Sequence, residues 1–204
     1  MIARGGVGFV FAPLFAILAA MAGSLALRSL ALLYATIPLG LLFLFALAFF
    51  RDPPRAPGAG IVSPADGRVL DVDRTHGRVT VFMGVGNVHV NRAPWSGRVT
   101  RMTHSPGGHA PAYRPEAATN ERLETILDTP LGQFRVVQVA GVFARRIVPY
   151  VREGDRVKKG QRIGMIRFGS RVELTLPPRA RIVVQPGTRV RAGESTLAVV
   201  EDAE

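Results

Sequence analysis

Hydrophobic and polar positions divide the chain into two regimes. Residues 7–50 are apolar almost without interruption, and Arg28 is the one charged side chain among them. The stretches 8–27 and 30–50 each match the roughly 20 residues that cross a bilayer's hydrocarbon core. Arg28-Ser29 divides them as a polar turn, so a two-helix hairpin is predicted within a membrane anchor spanning 1–50. Pro13 and Pro38 are compatible with helices in a membrane. Beyond residue 60 the pattern changes to short β-branched runs between glycine and proline, which predicts strands, for instance at 78–83, 134–140, 171–176 and 180–184. A helix is expected only at 116–127. The intervening segment 51–60 carries Pro53, Pro54, Pro57, Gly58 and Gly60 and predicts an irregular linker that tethers the domain on a short leash. The fold expected for 61–204 is mainly β, a compact antiparallel β-sandwich or barrel.

Two repeats sharpen that expectation. Ser63-Pro64-Ala65-Asp66-Gly67-Arg68-Val69 is echoed by Ala93-Pro94-Trp95-Ser96-Gly97-Arg98-Val99, with Pro-x-x-Gly-Arg-Val in common. Gly154-x-x-Val157-x-x-Gly160-x-x-Ile163 is echoed by Gly187-x-x-Val190-x-x-Gly193, with Leu197 one place late. Each places glycine where a turn needs positive φ and valine where a core needs filling. The second pair resembles the hammerhead turns of biotinyl- and lipoyl-type domains.

Charge adds orientation and partners. The chain has 26 basic and 15 acidic residues, a net +11, and every acidic residue lies beyond residue 50. Arg4 precedes the first span and Arg51 and Arg55 follow the second, so the positive-inside rule puts both termini and the β domain in the cytoplasm, at the inner membrane. A cleaved signal peptide ending near Ala20-Met21-Ala22 is the competing reading, with an apolar core longer than such peptides use. A basic domain beside an anchor suits an anionic phospholipid surface. Nucleic acid is disfavoured, because one tryptophan and few aromatics offer no stacking array. The absence of cysteine excludes disulfides, thiolate nucleophiles and cysteine metal sites. The histidines have no companions at metal-ligand spacing, so no metal is expected.

Candidate chemistry is concentrated in a few segments. Asp66 stands in a Pro-x-Asp-Gly turn, which also reads as an ordinary Asx turn. In Asn87-Val88-His89-Val90-Asn91-Arg92, strand alternation places His89 on one face with Asn87 and Asn91, an arrangement suited to proton transfer and also to a half-exposed histidine. Asn120-Glu121-Arg122 reads as a helix start or a site lining. Arg145-Arg146 reads as a solvated edge or a phosphate clamp. Gly169-Ser170 is by itself an ordinary turn dipeptide.

Taken in order, Ser63-Pro64-Ala65-Asp66-Gly67, Asn87–Pro94, Asn120-Glu121-Arg122, Ala144-Arg145-Arg146-Ile147 and the run from Gly160 to Arg171 resemble the phosphatidylserine decarboxylases, in their short, membrane-anchored branch. The resemblance implies a proenzyme that cleaves itself between Gly169 and Ser170, giving a β chain 1–169 and an α chain 170–204 that remain together as a heterodimer, or as a larger oligomer. Ser170 becomes a covalent pyruvoyl group. That group forms a Schiff base with the amine of phosphatidylserine and releases CO2 and phosphatidylethanolamine, without a metal. His89 is implied as the base, oriented by Asp66, with Asn87, Asn91, Arg92, Arg145 and Arg146 as substrate contacts. Arg92 and Asn87 stand where the longer branch has a second histidine and an aspartate. A non-catalytic membrane-tethered carrier of lipoyl-like fold is the alternative; it needs a lysine at an exposed hairpin tip, whereas Lys158 and Lys159 precede Gly160 inside a repeat turn.

Overall fold

The computed structural model describes residues 1–108, 110–141, 146–167 and 170–200. Contacts divide the chain into two units, 1–53 and 54–204. In the first, α1 (Val7–Leu27) and α2 (Leu30–Phe49) form an antiparallel pair. Arg28 turns the chain in the left-handed region (φ 49°), its N–H donating to the Ser24 carbonyl. At the opposite end Ala3 N–H donates to Phe50 O and Asp52 N–H to Met1 O, both at 2.8 Å. Apolar side chains face outward around both helices, among them Phe15, Leu25, Leu30 and Leu41. Helices that are apolar all round and about 30 Å long fit a bilayer, not water.

The second unit contains, in chain order, β1 (Ile61–Val62), β2 (Gly67–Asp73), β3 (Arg78–Met83), β4 (Val90–Arg92), β5 (Gly97–Ser105), β6 (Arg122–Thr129) and β7 (Gly132–Val139). There follow β8 (Ile147–Pro149), β9 (Arg156–Val157), β10 (Arg162–Ile166), β11 (Ser170–Thr175), β12 (Ala180–Ile182), β13 (Arg189–Val190) and β14 (Thr196–Val200). They form an eight-stranded sheet, β13-β2-β3-β11-β7-β6-β5-β9, and two three-stranded sheets, β1-β14-β12 and β4-β10-β8. Every pairing within these sheets is antiparallel. The mainly β class is as expected.

The topology is an internal duplication. Read from either end, the large sheet matches β13 with β9, β2 with β5, β3 with β6 and β11 with β7; the small sheets match each other strand for strand. One copy is β4–β10, continuous in sequence. The other is split, with β1–β3 before that insert and β11–β14 after it. The two sequence repeats are the joints of these copies. Gly187 N–H donates to Val69 O and Gly154 N–H to Val99 O; Gly193 N–H donates to Ser63 O and Gly160 N–H to Ala93 O. The four glycines have φ of 91° and 77° in one copy, and 89° and 78° in the other, values that L side chains rarely adopt. Val157 and Val190 fill matching core positions.

The core between the sheets is built from alternating strand residues such as Val79, Val81, Leu127, Phe134, Val136, Val172 and Leu174. Alternation also explains the one element that differs in type from expectation. Residues 116–127 are not a helix: Pro115–Thr119 form a 3-10 turn, and β6 begins at Arg122. Leu123, Thr125 and Leu127 are buried at every second position, the period of a strand, and the β7 hairpin partner overrides local helix propensity. The linker also differs. Gly58 N–H donates to Gly193 O, Thr196 Oγ1 to Ala59 O and Lys159 Nζ to Gly60 O. Residues 55–60 are therefore strapped across the two glycine turns of the β unit.

Candidate active site

Two connections join the split copy to its insert. The chain leaves β3 at Met83 and reaches β4 through 84–89. It leaves β10 at Ile166 and re-enters the first copy at Ser170. The residues flanking these connections meet: Ile166 N–H donates to His89 O at 3.2 Å, and Ser170 pairs with Met83 across β11 and β3. In the insert the equivalent strands β6 and β7 are closed by a tight turn, with Thr129 paired to Gly132. Ser170 and His89 thus flank the point where one hairpin has been opened to admit a second copy of the fold.

Ser170 is fully buried, and its Oγ donates to Met83 Sδ at 3.4 Å. Asn91 Nδ2 donates to the same sulfur at 3.5 Å and, in a long bond, to Pro64 O at 3.4 Å. Gln138 Nε2 donates to Asn91 Oδ1 at 2.7 Å. Gln138 and Asn91 are themselves buried, so a buried polar chain, Gln138–Asn91–Met83–Ser170, crosses from β7 to β11. Sequence reading missed Met83 and Gln138, which lie in apolar-patterned strands and gave no local signal.

His89 is wholly buried, in place of the half-exposed strand residue considered from sequence. It precedes β4, and Val88 and Val90 are buried as well, so both faces of this segment meet protein. Its Nδ1 lies 2.9 Å from Asn87 O. A carbonyl only accepts, so Nδ1 carries a proton, and in the ring's neutral form the basic lone pair is on Nε2. Asn87 is half-buried: its Oδ1 accepts Gly84 N–H and its N–H returns to Gly84 O, both at 2.9 Å.

Asp66 is placed differently from expectation. Its carboxylate is gripped at both oxygens by Arg55, with Nη2 to Oδ2 at 2.8 Å, and Oδ1 also accepts Ala192 N–H at 2.7 Å. The imidazole is oriented by Asn87 O instead. The link from Asp66 to the site runs through its own turn, where Pro64 O accepts Arg92 N–H at 2.9 Å and the Asn91 side chain. Arg92 is buried, and Nη1 donates to Gly160 O at 2.9 Å, a bond across the repeat joint.

The remaining candidates disperse. Asn120 is buried and pins residue 110 to Ala140 through three hydrogen bonds. Arg146 lines a separate cleft of about 530 Å³ with Glu121 and His104, which pair at 3.0 Å. Arg145 and Gly169 lie outside the described residues, as does His109. Burial, and then the nearby Arg146 charge, push the Arg167 guanidinium below its usual value, and Tyr150 opposes them. Among the described residues no group of three or more histidines or carboxylates is arranged to hold a metal.

Residues 42–198 match the phosphatidylserine decarboxylase family. The chain is 44% identical to a protein named as an archaetidylserine decarboxylase proenzyme in Methanosarcina acetivorans, over 99% of this chain and 98% of the relative. It is 50% identical to a protein of the same name in Halobacterium salinarum, over 76% of this chain and 80% of the relative. A phosphatidylserine decarboxylase proenzyme of Thermobifida fusca is 50% identical over 73% of this chain and 70% of the relative. With the family match spanning most of the chain and a buried serine at the joint of its two copies, this protein belongs to the phosphatidylserine decarboxylase family of carboxy-lyases.

Proposed function

We propose that this chain is a membrane-anchored proenzyme that cuts itself between Gly169 and Ser170 and then decarboxylates a phosphatidylserine-type lipid to its ethanolamine counterpart. The observation that carries the reading is Ser170 itself: a fully buried hydroxyl on a thioether acceptor, at the start of a central strand, with a buried histidine on the adjoining connection.

Ser170 Oγ attacks the Gly169 carbonyl, moving the acyl group from nitrogen to oxygen. His89 Nε2 is the nitrogen left to take the hydroxyl proton. Removal of the residue 170 Cα proton with loss of the ester's acyloxy group then leaves Gly169 as a carboxylate and residue 170 as dehydroalanine, and after tautomerisation to the imine water displaces ammonia to leave a pyruvoyl cap. Exclusion of bulk water from Ser170 favours acyl shift and elimination over simple hydrolysis.

The residues around position 170 fit such a cap. Main-chain pairing to Met83 holds the new terminus in the sheet, and the Asn91 amide, which shares the Met83 sulfur with Ser170, is the neutral donor assigned to the carbonyl. The pyruvoyl carbonyl supplies the electron sink for the pair left when CO2 departs. His89 returns a proton to the carbon that lost CO2, and Gln138 keeps Asn91 in register. Asp66 is a positioning residue, acting through Pro64 on Asn91 and Arg92. The carrier alternative loses its support, since Lys159 lies over Trp95, 4.8 Å from the ring centroid, and donates to Gly60 O.

Arg4 and Arg51 at one end of the helix pair, against Arg28 at the other, support a cytoplasmic β unit at an anionic inner membrane.

Intact-mass measurement tests the reading. Wild type should give two fragments split after Gly169, the smaller blocked at its amino end, and should release CO2 from ester- or ether-linked serine phospholipid. Ser170→Ala should remain one inactive chain. A folded wild-type chain that stays uncut refutes the proposal.

A further inference from the structure

The cleft of about 530 Å³ that holds Glu121, His104 and Arg146 lies on the same face of the large sheet as Ser170. Ser170 pairs with Met83 on one side. On the other side Arg171 pairs with Val139, which sets Ser170 beside Ala140, and Ala140 N–H donates to Glu121 O at 2.9 Å. Met83, Ser170, Ala140 and Glu121 therefore stand in one row across the sheet. The first three are fully buried, and Glu121 shares its face with Leu123, a core residue two positions along. Two strand spacings, about 10 Å, separate the Cα atoms of Ser170 and Glu121, and the residue between them in the row is the small Ala140.

The walls of the cleft continue into the proposed reaction centre. Leu123 pairs with Gln138, whose carboxamide reaches Asn91 and so the Met83 sulfur. Ile147 pairs with Ile166, whose N–H donates to His89 O. The Gln138 carboxamide also packs on Gly164 of β10, where a Cβ would lie 3.0 Å from it. The large sheet and the β4-β10-β8 sheet thus enclose one slot, with Ser170 and His89 toward one end and the cleft at the other.

Polar groups are graded along that slot. Arg146 is exposed, and its guanidinium has no partner among the described residues. Glu121 lies deeper, with its side chain 14% exposed. One of its carboxylate oxygens meets His104 Nε2 at 3.0 Å, and the other carries no hydrogen bond among the described residues. Ser170 is fully buried. A serine phospholipid entering by its headgroup leaves its phosphodiester at the rim, beside a guanidinium, and brings its ammonium inward past a carboxylate toward residue 170. We propose that this cleft receives the substrate headgroup, with Glu121 holding the ammonium and Arg146 the phosphodiester. The assignment deepens the decarboxylase reading given above and rests on it.

Glu124 and Arg135 supply the control, an ion pair on the opposite face of β6 and β7. Self-cleavage, read on a denaturing gel, reports folding, and Arg146→Gln at its exposed position is the fallback if Glu121→Gln does not fold. On short-chain phosphatidylserine in neutral detergent micelles, Glu121→Gln and Arg146→Gln should each raise KM roughly tenfold while kcat stays within about twofold. Glu124→Gln and Arg135→Gln should leave both within about twofold. Binding is read without turnover on the full-length Ser170→Ala chain by titration calorimetry. Glycerophosphoserine, the headgroup without tails, should lose roughly tenfold in affinity with either cleft substitution. Glycerophosphoglycerol, which lacks the amine, should lose affinity with Arg146→Gln alone. Unchanged KM and affinity, or an equal loss in the control variants, overturns the subsite. An equal effect of Glu121→Gln on both probes overturns the ammonium contact. Inorganic phosphate that binds as tightly as glycerophosphoserine, with the same loss on Arg146→Gln, marks a free-phosphate site and also overturns the proposal. A wild type that neither cleaves nor releases CO2 overturns the decarboxylase reading instead, while the binding measurement still decides the cleft.

Discussion

Asp66 and Ser96 hold the same place in two copies of one turn. Asp66 Oδ1 accepts the amide of Ala192, the residue before Gly193, at 2.7 Å; Ser96 Oγ accepts the amide of Lys159, the residue before Gly160, at 2.9 Å. The carboxylate thus does what a hydroxyl does in the other copy, and in addition it holds Arg55. Asp66→Ser should keep the turn and lose the ion pair. The two side chains are only 7% and 10% exposed, and stranding one member of a buried pair costs about 3–5 kcal/mol. Combining Asp66→Ser with Arg55→Met should recover much of that loss in chemical denaturation. The double variant should still cleave itself if Asp66 acts through its turn; a folded, uncut double variant means that the carboxylate takes part in the chemistry.

His89→Gln fills similar space but lacks the basic nitrogen. Self-cleavage should slow by about 100-fold or more, in the range typical of a lost general base. Normal processing and normal decarboxylation in this variant would remove His89 from the mechanism. A time course on a denaturing gel, with CO2 release from whatever fraction is cleaved, separates the two steps.

The two fragments should stay together after cleavage. β11 is flanked by β3 and β7, β13 pairs with β2, and β14 pairs with β1, so three strands of the smaller fragment are hydrogen-bonded into the larger. Val172 and Leu174, fully buried, contribute roughly 1.5–3 kcal/mol each. Affinity capture by a tag on one fragment in detergent should recover both in equal amount, with separation only on denaturation.

Gln138→Leu removes the donor to Asn91 Oδ1 and leaves a buried carbonyl unsatisfied, a loss of about 1–3 kcal/mol. The freed carboxamide also loses its register beside Ser170, so self-cleavage should slow more in Gln138→Leu than in an equally destabilised core variant such as Val136→Ala. Equal slowing at equal stability would reduce Gln138 to a packing residue.

Asp73 offers a pH test away from the site. The His76 backbone N–H (3.0 Å) and then its side chain hold the Asp73 carboxyl below the usual carboxylate range. A depressed folded pKa means that the carboxylate stabilises the fold above its unfolded pKa of about 3.9, and that this contribution disappears as pH falls through the lower folded value. Asp73→Asn should therefore melt below wild type at pH 7, with the gap closing toward pH 3. A constant gap would show that the turn does not depend on the charge.

Much of the architecture is written locally. Arg28 between two apolar runs favours a helix pair, because a charged side chain is costly at the bilayer centre and a turn there puts it at an interface. Glycines spaced around Val157 and Val190 dictate the paired turns, because only glycine takes those φ values without strain. Period-two burial along 122–129 was equally present, but a short run compatible with a 3-10 start disguised it, and only the β7 partner made it a strand.

What the sequence determined by itself is the membrane-length hairpin, the β class, the repeats and the two residues, His89 and Ser170, on which the proposed chemistry depends. What only the tertiary structure decided is who meets whom. Arg55 takes Asp66 across the linker, Gln138 takes Asn91 between strands 47 residues apart, and Arg68 confronts Arg189 from the far end of the chain. Local propensity acts over a few residues, whereas these meetings depend on sheet register, which no single segment carries. The duplication set that register, and its interruption after Met83 left the histidine and the serine beside the two connections that join the copies.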